Sequence, residues 1–76
     1  MKKLLEYLLC SIVNYPKELL ITERGERNHL QLIIKAHPDD LKIIIGKNGE
    51  TIKAIREVVK IKGIKRGKII NIKIEE

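Results

Sequence analysis

The sequence predicts an α+β fold in which helices cover one face of a three-stranded sheet. Three observations predict it. The amino end carries an apolar stripe of helical spacing, two further helical segments meet at a glycine-bounded joint, and three short segments show strand-like apolar patterning, two of them with a period of two.

Leu4, Leu5, Leu8, Leu9, Ile12 and Val13 form the stripe, predicting a first helix over 3–14 that Asn14 and Pro16 stop. Residues 18–23, with Leu19, Leu20 and Ile21, read as a short strand, and the turn-rich Arg24-Gly25-Glu26-Arg27-Asn28 follows. Leu30, Leu32, Ile34 and Ala36 then alternate with Gln31, Ile33, Lys35 and His37, a period-two strand that should pair with the first as a hairpin. His37-Pro38-Asp39-Asp40 opens a second helix, with proline at the first helical position and acids at the positive end of the dipole. It runs through Leu41, Ile43 and Ile44 into Gly46-Lys47-Asn48-Gly49. A third helix then carries Ile52, Ile55 and Val59 toward the core. Gly67 fits a helix C-terminal cap. Gly63 either ends this helix early or costs about 1 kcal/mol inside its last turn. Ile70, Ile72 and Ile74 alternate with Asn71 and Lys73 as the last strand. The order is α-β-β-α-α-β, without linker, repeat or low-complexity tract.

A chain of 76 residues buries only about 60% of its unfolded surface, so its stability should be marginal and a partner subunit would help. The single cysteine, Cys10, cannot form an internal disulfide. It lies opposite the leucine stripe with Tyr7, and no orienting base marks it as a nucleophile. His29 and His37 have no companion at metal-ligand spacing, so no metal and no cofactor are expected. Met1-Lys2-Lys3-Leu4-Leu5 imitates the start of a signal peptide, but Glu6 interrupts it, and no stretch approaches the ~20 apolar residues of a membrane span. A cytoplasmic location without membrane attachment is expected.

The net charge of +6 favours an anionic partner. The bases concentrate in the second half, at Lys47, Lys53, Arg56, Lys60, Lys62, Lys65, Arg66, Lys68 and Lys73, against Glu50, Glu57, Glu75 and Glu76. Gly46 and Gly49, at a helix-to-helix joint, let the main chain approach a ligand with no Cβ in the way. The third helix presents free N–H groups there, where phosphate is the natural guest. Lys47 adds a mobile charge at the tip, and Asn48 can donate or cap. Lys53, Arg56 and Lys60, at i, i+3 and i+7, make a basic edge beside the loop. Ile44, Ile45 and Ile52, with Ile33 beside them, are the candidates for an aliphatic groove floor against which unpaired bases pack. The absence of Phe and Trp, with only Tyr7 and Tyr15 present, argues against the aromatic stacking platforms of RRM, cold-shock and many OB-type modules. The loop lacks the Gly-Lys-Ser/Thr of a Walker loop and the dinucleotide-binding glycine fingerprint.

Ile44-Ile45-Gly46-Lys47-Asn48-Gly49-Glu50-Thr51-Ile52-Lys53-Ala54-Ile55 resembles the KH signature, an Ile-Gly-x-x-Gly core followed by x-x-Ile. The element order resembles the prokaryotic type II KH arrangement, which implies a mixed sheet. The whole chain resembles the short bacterial KH proteins of the KhpA group. This resemblance implies one KH-type domain over 1–76, with a KH core over 29–76. It further implies binding of single-stranded RNA, with the loop clamping about four nucleotides. It also implies RNA chaperone activity, a homodimer or a heterodimer with a larger KH protein of the KhpB type, and effects on cell-wall synthesis and cell length. Glu50 departs from the pattern, since relatives often carry a basic residue there and a carboxylate repels phosphate.

Ala54, Val58 and Ile61 form a second apolar face of the third helix, about 130° from the first by 100° steps. The bland reading is burial under the last strand or the chain end; the functional one is a dimer contact. Two function classes follow: an RNA-binding module, or a protein–protein adaptor whose KH partner makes most of the RNA contacts. An enzyme acting on a small-molecule substrate is not expected, for want of a carboxylate pair, metal set or activated nucleophile.

Overall fold

The elements appear in the predicted order. The computed structural model describes residues 1–75; Glu76, counted above among the terminal carboxylates, lies outside the described residues. Helix α1 spans Lys2–Cys10, β1 Leu20–Glu26, β2 His29–Lys35, α2 Pro38–Ile45, α3 Glu50–Lys65 and β3 Ile69–Ile74. A 3-10 turn, Pro16–Glu18, precedes β1, and another, Lys47–Gly49, joins α2 to α3.

The sheet is mixed, as the type II arrangement requires. Its central strand β2 runs antiparallel to β1 and parallel to β3. The register sets Ile21 opposite Ile34, and Leu32 opposite Ile72, so the alternating apolar residues share one face. Against that face pack Leu5 and Leu9 of α1, Ile44 of α2, and Ile52, Ile55 and Val59 of α3. Each such aliphatic side chain contributes about 1.5–3 kcal/mol on full burial. The opposite face carries Thr22, Arg24, Gln31, Ile33, Asn71 and Lys73, and among the described residues no helix covers it.

Two boundaries differ from expectation for one reason. α1 ends at Cys10, not at residue 14, although Ile12 and Val13 still pack on the core. The Ser11 hydroxyl donates to the Leu8 carbonyl at 2.7 Å, and the N–H groups of Asn14 and Tyr15 donate to the Asp40 carboxylate at 2.9 Å each. These bonds replace helical ones and pin the connection onto α2. β1 consequently begins at Leu20, with Glu18 in the preceding turn, and continues to Glu26. The hairpin closes on Arg27 and Asn28, because Glu26 pairs with His29.

Gly63 does not end α3; it lies buried in the last turn. A Cβ there would stand 2.7 and 2.9 Å from side-chain carbons of Ile70 and 3.0 Å from the Lys68 carbonyl oxygen. The helix therefore lies on β3 more closely than any side chain would allow. Beyond it, Gly67 N–H donates to Ile64 O at 2.9 Å and Lys68 N–H to Gly63 O at 2.8 Å, the paired bonds of a Schellman cap. Gly67 has φ +72°, as the cap requires.

Gly63→Ala should lower stability by about 1–3 kcal/mol through overpacking, despite the ~1 kcal/mol that alanine gains in helix propensity. The check is the urea midpoint, and a midpoint unchanged or raised would show that α3 can lift off the sheet freely.

Candidate functional site

Loop and helix ends come together at the α2–α3 joint. Gly46 closes α2 with its N–H donating to Lys42 O at 2.9 Å, and takes φ 76°, ψ 177°, a conformation essentially restricted to glycine. A Cβ on Gly46 would also strike the Thr51 side chain, which folds back over it. Asn48 and Gly49 both take left-handed conformations, at φ 56° and φ 73°. Nothing lies within 4 Å of where a Gly49 Cβ would stand, so that main chain is open to approach.

Three of the four loop positions, Gly46, Asn48 and Gly49, thus have positive φ. Gly49 N–H donates to Gly46 O and Glu50 N–H to Lys47 O. The turn's own bonds therefore begin at Gly49, and the leading N–H groups of Lys47 and Asn48 have no carbonyl partner within it. Both side chains are exposed. Free donors beside the N-terminus of a sixteen-residue helix form a concavity suited to an anion. The Glu50 side chain is exposed at the same end and lowers the positive potential there.

The basic edge lies on the exposed surface of α3, at Lys53, Arg56 and Lys60. Arg56 Nη2 donates to Ile72 O across the gap to β3, at 3.4 Å. β3 is an edge strand. Ile69 N–H donates inward to Asn28 O and Glu75 N–H to Ile34 O, so the alternate residues Ile70, Ile72 and Ile74 turn their main-chain groups to the open edge. Between this edge and α3 runs a groove of about 650 Å³, lined by Arg56, Lys60, Ile64, Lys68, Ile70 and Ile72 among others.

The lining of this groove is aliphatic and basic, but its floor is not the one expected beneath the loop. Ile44 is 0% exposed and Ile52 5%; both are core side chains that support the surface without forming it. Their positions flank the glycine loop, yet the helix phase turns them to the sheet. Ile45 is half-buried. Ile33 points to the uncovered face of the sheet, between Thr22 and Lys73. The residues missed are Ile64, at 63% exposure, and Ile69, at 57%. The signal in the sequence was Ile64 falling one turn beyond Lys60, in line with the basic edge.

Among the described residues, neither the last strand nor any other element covers the second apolar face of α3. Ala54 is exposed, and Val58 and Ile61 are 42% and 52% exposed. Cys10 and Tyr7 are exposed on α1. His37 caps α2, its Nδ1 accepting from Asp39 N–H at 3.1 Å, and stacks on Tyr15 with ring centroids 4.0 Å apart. Among the described residues no three His, Cys, Asp or Glu side chains are grouped as a metal site, and no helix is long and apolar enough to cross a membrane.

Comparison with known proteins agrees with this geometry. The family model described as KhpA/KhpB, KH domain, matches residues 2–74. A protein of Oceanobacillus iheyensis named RNA-binding protein KhpA is 44% identical over 59 residues, covering 78% of this chain and 79% of its own. The protein of the same name from Clostridium acetobutylicum is 36% identical over 74 residues, covering 97% and 99%. That from Listeria monocytogenes is 30% identical over the full length of both chains. No solved structure gives a significant match to the chain. A family match over nearly every residue, and relatives aligned from end to end, carry one conclusion: the chain belongs to the KhpA/KhpB KH-domain family.

Proposed function

We propose that this chain binds single-stranded RNA, with phosphates against Gly46, Lys47, Asn48 and Gly49 and bases along the groove between α3 and β3. One observation carries the reading: an open glycine-bounded turn, whose own hydrogen bonds leave the leading N–H groups of Lys47 and Asn48 without a partner in it, stands beside an exposed row of Lys53, Arg56 and Lys60. The relatives' name, RNA-binding protein, supports it. Residues 29–76 are assigned as the KH core. The action is binding without catalysis, in the cytoplasm. RNA chaperone activity, pairing with a KhpB-type protein and a part in cell-wall synthesis and cell length belong to the same proposal, on the strength of the family resemblance.

Replacing Lys47 and Asn48 together by Asp should abolish RNA binding and leave the circular dichroism spectrum and melting unchanged, since both side chains are exposed. For the wild type, each phosphate neutralised should contribute about −0.7 to the slope of log affinity against log salt. Unaltered RNA retention by the double variant, measured by filter binding, would defeat the proposal.

A second reading, an adaptor whose KH partner makes most of the RNA contacts, is favoured by two features. Glu50 places a carboxylate at the loop, and Ala54, Val58 and Ile61 leave an apolar strip uncovered on α3. RNA affinity of the chain alone, compared with its affinity beside a KH partner, separates the two readings. The strip is the dimer contact in either case. Ile61→Asp should give a folded monomer where the wild type is a dimer, and equal masses by light scattering would remove the strip from the interface.

A further inference from the structure

The groove between α3 and β3 does not stop at the edge of the sheet. A second depression, of about 360 Å³, lies beyond it and is lined by Arg24, Gly25, His29, Leu30, Gln31 and Asn71. Asn71 also lines the first groove, so the two hollows adjoin at that residue. The pairing register explains why. Arg24 stands opposite Gln31, and Gln31 opposite Asn71, so these three side chains form one row across all three strands. Burial of Ile21, Leu32, Ile34 and Ile70 on the helix side places the row on the uncovered face. It spans two strand spacings, about 10 Å.

We infer that a bound RNA strand leaves the groove over the β3 edge at Asn71 and continues across the open sheet face along Gln31 to Arg24. This inference rests on the RNA-binding reading above and extends the footprint beyond the glycine loop. The chemistry of the row favours nucleic acid. Asn71 and Gln31 each offer an amide donor and an acceptor, the pair that a base edge engages. Arg24 offers a planar fork for a phosphate. On the rest of the face Lys35 and Lys73 are balanced by Glu26, beside His29, and by Glu75, which follows Lys73 in the same alternation, so the positive charge of the row is Arg24. A protein partner would need an apolar anchor at the centre of its contact, and the centre here is an amide pair. The outer-face apolar side chains, Leu20, Ile33 and Ile69, lie apart in separate rows.

The test compares oligouridylates of about four nucleotides, the span of a KH loop, with oligouridylates of about ten. The full chain should bind the longer RNA more tightly. Arg24→Glu should leave affinity for the short RNA unchanged, weaken the long RNA about tenfold and lower its salt slope by about 0.7. Arg24→Gln, which adds no like charge beside Glu26, should show the same pattern at smaller size. Lys3→Glu, an equal charge change on α1, should not. If Arg24→Glu binds the long RNA as the wild type does, or if length brings no gain in affinity, the sheet path is wrong while the loop reading stands. If the wild type binds neither RNA, the loop reading fails and this one with it.

Discussion

The depth at which α3 sits on the sheet decides where everything else on the surface stands, and that depth is set at Gly63. With no Cβ to hold the chains apart, the last turn of the helix rests directly on Ile70. The Schellman cap then returns the chain within three residues to begin β3. Helix phase does the rest. With Ile52, Ile55, Val59 and Gly63 turned to the core, Arg56, Lys60 and Ile64 border β3, while Ala54, Val58 and Ile61 face away from it. One close contact thereby separates a basic groove from an apolar strip on a single helix. A side chain at position 63 would widen the gap between α3 and β3 and lengthen the 3.4 Å reach of Arg56 to Ile72 O.

The other end of the joint is held by a buried charge. Asp40 is 0% exposed, and burying a carboxylate without partners costs several kcal/mol. Here both oxygens accept main-chain N–H groups, from Asn14 and Tyr15, and such charge-assisted bonds contribute about 1.5–3 kcal/mol each. The carboxylate also sits in the first turn of α2, where the helix dipole favours it. Its effect is positional. The segment after α1 is tied to the start of α2, Tyr15 stacks on the capping His37, and Gly46 finishes the helix eight residues after Pro38. α2 is thus a short strut of fixed ends, and the glycine turn projects from one of them.

The parts of this fold legible in the sequence are those governed by local periodicity. Alternation at Leu30, Leu32 and Ile34, the three-and-four spacing of Ile52, Ile55 and Val59, and the glycines at 46 and 49 each state their own structure. The misplaced elements depend on partners distant in sequence. α1 ends early because Asp40, 26 residues from Asn14, takes the donors that would have extended the connection otherwise. Adjacency to the loop suggests Ile44 and Ile52 as the groove floor, yet adjacency is not exposure and both are buried. The parallel pairing of β2 with β3 is what sets Ile64 beside the open edge, and no local pattern states it. The row of Arg24, Gln31 and Asn71 joins three strands, so no single segment displays it.

The lack of Phe and Trp shapes how such a surface can hold RNA. Aromatic platforms supply about 1–3 kcal/mol per stacked base; isoleucine walls supply contact area without that stacking. On the proposed reading, affinity then comes chiefly from phosphates, at the free N–H groups of the loop and at scattered lysines and arginines. Attraction of that kind tolerates many sequences and weakens steeply with salt, and Glu50 reduces it further at the loop itself. On that reading a single chain binds RNA weakly, and two routes lead to greater strength. The first is a longer footprint, which the open sheet face provides. The second is joining two chains through the exposed Val58 and Ile61, which makes the second RNA contact intramolecular and raises avidity without any new contact to RNA. The same pairing would bury apolar surface that a domain this small can ill spare. Both routes depend on α3 presenting different faces to different partners, and so return to the glycine that fixes its rotation and depth on the sheet.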